Sequence, residues 1–136
     1  MTRIDFYQID SDEQPLEFTC RLLEKIYRRG HEIFVYTADN EQARILDDLL
    51  WTFRPDRFIP HSLLDAGEAA PIQIAHQGEP AHKDVLVNLS NRVPEFFSRF
   101  DRVAEVVQLD ENSRDAARQN YKYSKDRDYL LHYHQM

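Results

Sequence analysis

The sequence predicts a three-layer α/β domain, with a mostly parallel central sheet and helices on both faces. Three observations predict it. Stretches with strand character alternate with stretches of helical periodicity, and strands joined through helices pair in parallel by right-handed crossovers. Two of the strand stretches, Ile33 to Tyr36 and Val85 to Leu89, are nearly continuous apolar runs, as strands covered on both faces require. A length of 136 residues with 42% apolar and 30% charged residues suits one domain, residues 1–136, around one interior.

In chain order, residues 3–9 mix alternation with β-branched and aromatic side chains and read as a first strand. Ser11 to Gln14 reads as a capping box, and Pro15 is tolerated in a first helical turn, where its missing N–H costs little. Leu16, Cys20, Leu23 and Tyr27, with Thr19 and Ile26 alongside, recur at helical spacing; Gly30 suits the left-handed residue that ends such a helix. After the Ile33 strand, Asp39 caps a second helix with Gln42 three residues on and Ala43, Leu46, Leu49 and Leu50 along one face.

That helix leads into Trp51 to His61, a segment with three large aromatics, two prolines and two arginines. So much apolar area on a rigid connection must be covered, either by the domain's own interior or by another protein. Phe53 and Ile59 are expected to turn inward, leaving Trp51 and Phe58 as exposed anchors. Residues 62–71 read as an exposed loop, Pro71 to Ala75 as a short strand and residues 77–83 as a second loop. Pro94 starts a short helix through Phe96, Phe97 and Phe100. Val103, Val106 and Val107 mark a last strand, and Asp110 or Asn112 caps a helix through Arg114, Ala117, Arg118 and Tyr121. Residues 129–136 are left open as a docked or a frayed tail.

Composition excludes several function classes. No apolar run approaches the ~20 residues of a membrane span, and the chain starts directly in a strand pattern, so a cytoplasmic protein is expected. A single cysteine, Cys20, forms neither an internal disulfide nor a thiolate metal cage. Phosphate cradles need closely spaced glycines, whereas Gly30, Gly67 and Gly78 lie far apart, so no nucleotide cofactor is expected. Of six histidines only His132 and His134 are close in sequence, and they lack the spacing of a structural metal site. Ser62 and Ser90 lack the small-residue elbow of an activated hydroxyl. The best enzymatic alternative is a metal-dependent nuclease gathering Asp5, Asp10, Asp39, Asp47 and Asp48, although caps and a solvated helix face account for most of these.

The charge is uneven. The net charge is -7, yet residues 112–127 hold Arg114, Arg118, Lys122, Lys125 and Arg127 against Asp115 and Asp126. Arg114, Arg118 and Lys122 recur every four residues as a cationic stripe, with Tyr121 one step round the same side. Such an end, beside the apolar Val106 and Val107, fits an acidic peptide with a hydrophobic terminus, because arginine grips carboxylates through a planar fork. Direct binding of single-stranded nucleic acid through the stripe and its tyrosines is the other alternative.

Asp5-Phe6-Tyr7, Glu41 to Asp47 leading into Leu50-Trp51, and Phe58-Ile59-Pro60-His61 form a series of short motifs that continues through Pro71-Ile72, Asp84 to Leu89 and Arg114 to Tyr121. In these motifs and their order the chain bears a resemblance to the chi subunits of the bacterial DNA polymerase III holoenzyme. The resemblance implies a Rossmann-like domain without a nucleotide or a catalytic site, an adaptor in DNA replication. One implied partner is the acidic, phenylalanine-ended C-terminal tail of single-stranded DNA-binding protein. Val107 would line the pocket for its terminal ring, Arg114 and Arg118 would meet its carboxylates, and Tyr121 would pack beside them. The other implied partner is the psi subunit, which tethers chi to the clamp loader; its footprint, which helicases can share, maps onto Trp51, Phe58 and Pro60.

Overall fold

The computed structural model describes residues 2–9, 14–53, 59–64, 70–80, 82–90, 92–108 and 110–135. Among them, seven strands make one all-parallel sheet: β1 Arg3–Gln8, β2 Ile33–Tyr36, β3 His61–Leu63, β4 Ile72–Ala75, β5 Val85–Asn88, β6 Arg102–Val107 and β7 Leu130–Gln135. Their order across the sheet is β3-β4-β2-β5-β6-β1-β7. Three α-helices, α1 Pro15–Arg28, α2 Asn40–Phe53 and α3 Glu111–Asp126, and a 3-10 turn at Phe97–Arg99 complete the described elements.

Strict alternation along the strands sends side chains to two separate interiors. Ile33, Val35, Val85, Val87, Ala104 and Val106 face α1 and α2. Ile4, Phe6, Phe34, Leu86, Val103 and Val107 face the other way, into an aromatic interior closed by Phe96, Phe97 and Phe100 of the 3-10 segment and by Ala117 of α3. This is the Rossmann-like three-layer arrangement that alternating strands and helices predict. No helix among the described residues is long and apolar enough to cross a membrane.

Local chemistry sets the helix ends. Asp39 Oδ1 accepts the Gln42 N–H at 2.8 Å while Gln42 Oε1 accepts the Ala38 N–H at 2.8 Å, a reciprocal cap for α2. Asp110 caps α3 with both oxygens, accepting from the Ser113 N–H and hydroxyl at 2.8 Å each. Gly30 follows α1 at φ +88°, a conformation that suits a residue without a Cβ. At the start of α1 the N-cap position is Gln14, without a side-chain cap; the rest of the expected box, residues 11–13, lies outside the described residues.

Three elements differ from the sequence expectation. His61–Leu63, expected to run into an exposed loop, forms edge strand β3 against β4, with His61 and Ser62 buried. Three residues are too few for an alternation to show. The tail becomes β7, paired in parallel along the whole of β1, so the Val103 to Val107 strand is not the last. Leu131 and Tyr133 face the aromatic interior, and His134 stacks on Tyr7 on the opposite face. The short helix expected after Pro94 is a single 3-10 turn.

Phe34 is fully buried, edge-on to Phe96 at 5.6 Å and stacked on Phe100 at 6.3 Å. Phe34→Ala should cost about 3–5 kcal/mol in urea unfolding, the usual range for emptying a phenylalanine site in an interior. A cost under about 1 kcal/mol would contradict this packing.

Candidate protein-docking surfaces

Helix α3 leaves β6 at the C-terminal end of the sheet and returns to feed β7, which lays it over β6 and β7. Ser113, Ala117 and Ser124 form its buried face. Arg114, Arg118 and Tyr121 follow one row beside it, at spacings of four and three residues. Arg114 and Tyr121 are half-buried, while the Arg118 side chain is 70% exposed. Arg118 pairs with Asp115, one turn back. An exposed pair of this kind contributes ~0–1 kcal/mol, so it holds the guanidinium in place yet yields readily to another carboxylate.

Tyr121 rests on Phe6, with ring centroids 5.5 Å apart, and meets Tyr133 edge-on at 6.1 Å. Tyr133 stacks on Phe6 at 5.8 Å, and its hydroxyl donates to Gln8 Oε1. Val107 lies in the same interior cluster as Phe6 and Ala117 but is only 3% exposed. The apolar surface reachable from solvent here therefore comes chiefly from the tyrosines. Sequence reasoning missed Tyr133 and Gln8, because their place depends on the β7 pairing, which sets Tyr133 opposite Phe6.

Two buried carboxyls lie close by. Glu105 is two residues before Val107 on β6, on the same side of the sheet, and its two carboxyl oxygens accept from Asn88 Nδ2, at 3.0 and 3.1 Å. Burial pushes its pKa from 4.5 up to about 7, against the smaller opposing effect of Asn88. Asp5 faces the other way. Burial alone would raise its carboxyl, but hydrogen bonds from His134 (3.0 Å), Arg102 (3.1 Å) and Arg3 (3.1 Å) outweigh burial and hold it below the ordinary value. These contacts join β6, β1 and β7.

The second surface is at the other edge of the sheet. Trp51 ends the exposed side of α2 at 58% exposure, its ring 4.8 Å from that of His61 on β3. His61 is buried beneath it, with Nδ1 2.6 Å from the Ile59 carbonyl and Nε2 3.3 Å from Asp47 Oδ1. Asp47 therefore does not lie on a fully solvated face; burial raises its carboxyl, against the lowering effect of His61. Phe53 and Ile59 turn inward as expected, and Pro60, half-buried, precedes His61. Phe58, the other expected anchor, lies outside the described residues.

Among the described residues, the carboxylates of the nuclease alternative sit in the middle of β1, at the cap of α2 and within α2. Asp5 is held by three cationic or imidazole partners, Asp39 caps α2 and Asp47 pairs with His61, while Asp10 lies outside the described residues. Among the described residues no three His, Cys, Asp or Glu side chains gather as a metal site requires.

A family model described as DNA polymerase III chi subunit, HolC, matches residues 1–132. A Pseudomonas aeruginosa protein named DNA polymerase III subunit chi is 40% identical over 140 residues, covering 100% of this chain and 98% of its own length. A protein of the same name from Haemophilus influenzae is 32% identical, covering 78% of this chain and 76% of its own. One from Escherichia coli is 26% identical and covers 90% of each.

Glu105 makes stability depend on pH in a definite direction. Between its unfolded value of 4.5 and its folded value of about 7, the folded protein keeps a proton that the unfolded chain has released. Stability therefore falls as pH rises through that window and levels off above it. Glu105→Gln should raise the unfolding free energy in urea titrations relative to the parent near pH 8, by on the order of 3 kcal/mol at most, and much less near pH 5. An equal shift at both pH values would refute the assignment.

Proposed function

Because the chain belongs to the chi subunit family of DNA polymerase III, we propose that it works as a non-catalytic adaptor in DNA replication, joining two proteins through the two surfaces just described. The α3 surface takes the acidic, phenylalanine-ended tail of single-stranded DNA-binding protein. Arg118, with Arg114 behind it, meets the tail's carboxylates, and the terminal ring lies against Tyr121 and Tyr133 above the cluster that contains Val107. The α2–β3 surface takes the psi subunit, and through it the clamp loader, with Trp51 as the aromatic anchor and Pro60 on the adjoining segment. A helicase that displaced psi would use this same face.

One observation carries the reading: the two surfaces lie at opposite edges and on opposite faces of the sheet. Six strand spacings separate β3 from β7, about 29 Å at ~4.8 Å each. Partners held there do not compete. Many tails on one DNA-coated tetramer provide a high local concentration, so a weak single contact is enough to keep the polymerase assembly near the lagging strand.

Titration with a labelled acidic peptide ending in phenylalanine tests the first surface. Arg118→Ala should weaken binding by about tenfold or more, a loss typical of a charge-assisted contact, with the unfolding curve unchanged. Raised salt should weaken the parent too, since the cation is exposed. Unchanged affinity in the variant would count against the site. For the second surface, Trp51→Ala should abolish co-purification with psi while leaving the peptide titration as it was; retention of psi would remove Trp51 from the interface.

A further inference from the structure

A cleft of about 210 Å³ opens between α1 and the sheet, on the face opposite α3, and neither docking surface accounts for it. Its walls are chemically divided. Tyr7, Phe18, Leu22, Ile26, Val85 and Ala104 supply an apolar interior. Arg21 and Lys25 line it from α1, one turn apart, and Arg29, the residue that caps the helix's C-terminal end, continues their row at the next turn. Arg102 lines it from β6.

The charge at this cleft runs against that of the molecule, whose net charge is -7. Asp5 is the one carboxylate among the described lining residues, and it is already met by Arg3, Arg102 and His134. The lining His31 is held 2.9 Å from Asp84 at the rim. Lys25 and Arg29 are exposed to solvent, where an incoming anion can reach them. A cation row facing an apolar interior recognises an anion that carries an apolar body. Size narrows this further: a dry cavity of about 150 Å³ admits benzene, whereas drug-sized ligands need about 300–1,000 Å³.

We infer that this cleft is a binding site for a small organic anion, a single ring bearing a phosphate or a carboxylate. The ring lies among Phe18, Leu22 and Ile26, and the anionic group is met by Lys25 and Arg29 at the mouth.

Amide chemical shifts in the full chain test this with three probes: phenyl phosphate, phenylacetate and inorganic phosphate. At least one ring-bearing probe should shift resonances in α1 and at the start of β6, with saturation at about millimolar concentration, and inorganic phosphate should do so much more weakly. Which ring-bearing probe binds tighter identifies the anionic group. The double variant Lys25→Glu, Arg29→Glu should lose about tenfold or more in affinity for that probe. Its acidic-peptide titration at α3 should match the parent's, which separates loss of this site from loss of the fold or of the tail surface. Absence of binding by both ring-bearing probes, equal binding of inorganic phosphate, or undiminished affinity in the folded double variant would each overturn the inference.

Discussion

Everything in this fold depends on one constraint: a parallel sheet has to be covered on both faces. The backbone bonds of the central strands are satisfied within the sheet, so what remains is to shield two apolar surfaces from water. Alternation along β2, β5 and β6 divides side chains between two interiors, Ile33 and Val35 to one, Phe34 to the other. Helices α1 and α2 close the first, and α3 with the 3-10 segment closes the second. Each covering helix then has side chains left over outside its buried face, among them Trp51 on α2, the cation row at the margin of α1 and the Arg118 row on α3.

The edges of the sheet are handled differently. β3 is a three-residue edge, short enough to offer little to a stray strand. β7 is twice as long and is tied to β1 through side chains on both faces, Tyr133 to Gln8 and Phe6 on one, His134 to Asp5 and Tyr7 on the other. Asp5 shows what this requires. A buried carboxylate is costly when alone, and it is sustained by bonds from β1, β6 and β7 at once, so the last described strand in the chain also completes the partner set of a charge in the first.

Much of this was legible in the sequence. The strong signals were the apolar runs of β2 and β5, the cap at Asp39, Gly30 after α1 and the periodic faces of α1 and α2; for the α3 cap the sequence left Asp110 and Asn112 open, and the structure takes Asp110. The weak ones were short or non-local. His61–Leu63 has too few residues to display a period, and β7 carries two histidines, a tyrosine and a glutamine that leave a docked and a frayed tail equally open until β1 stands beside it. For the same reason Tyr133 and Gln8 escaped notice, since only the register that sets Phe6 opposite Tyr133 brings them to Tyr121. Arg118 and Trp51 were visible from spacing and from surplus aromatic area. Val107 was visible only as apolar; that it is almost fully buried is a property of the packed cluster.

The central claim is that two partners occupy opposite edges of one sheet without interfering. It is tested most directly by measuring the affinity of the acidic tail peptide for the free chain and for the chain already saturated with psi. The account predicts the same affinity in both, within about twofold, because six strand spacings separate the surfaces. Displacement of the peptide by psi, or of psi by the peptide, would contradict it.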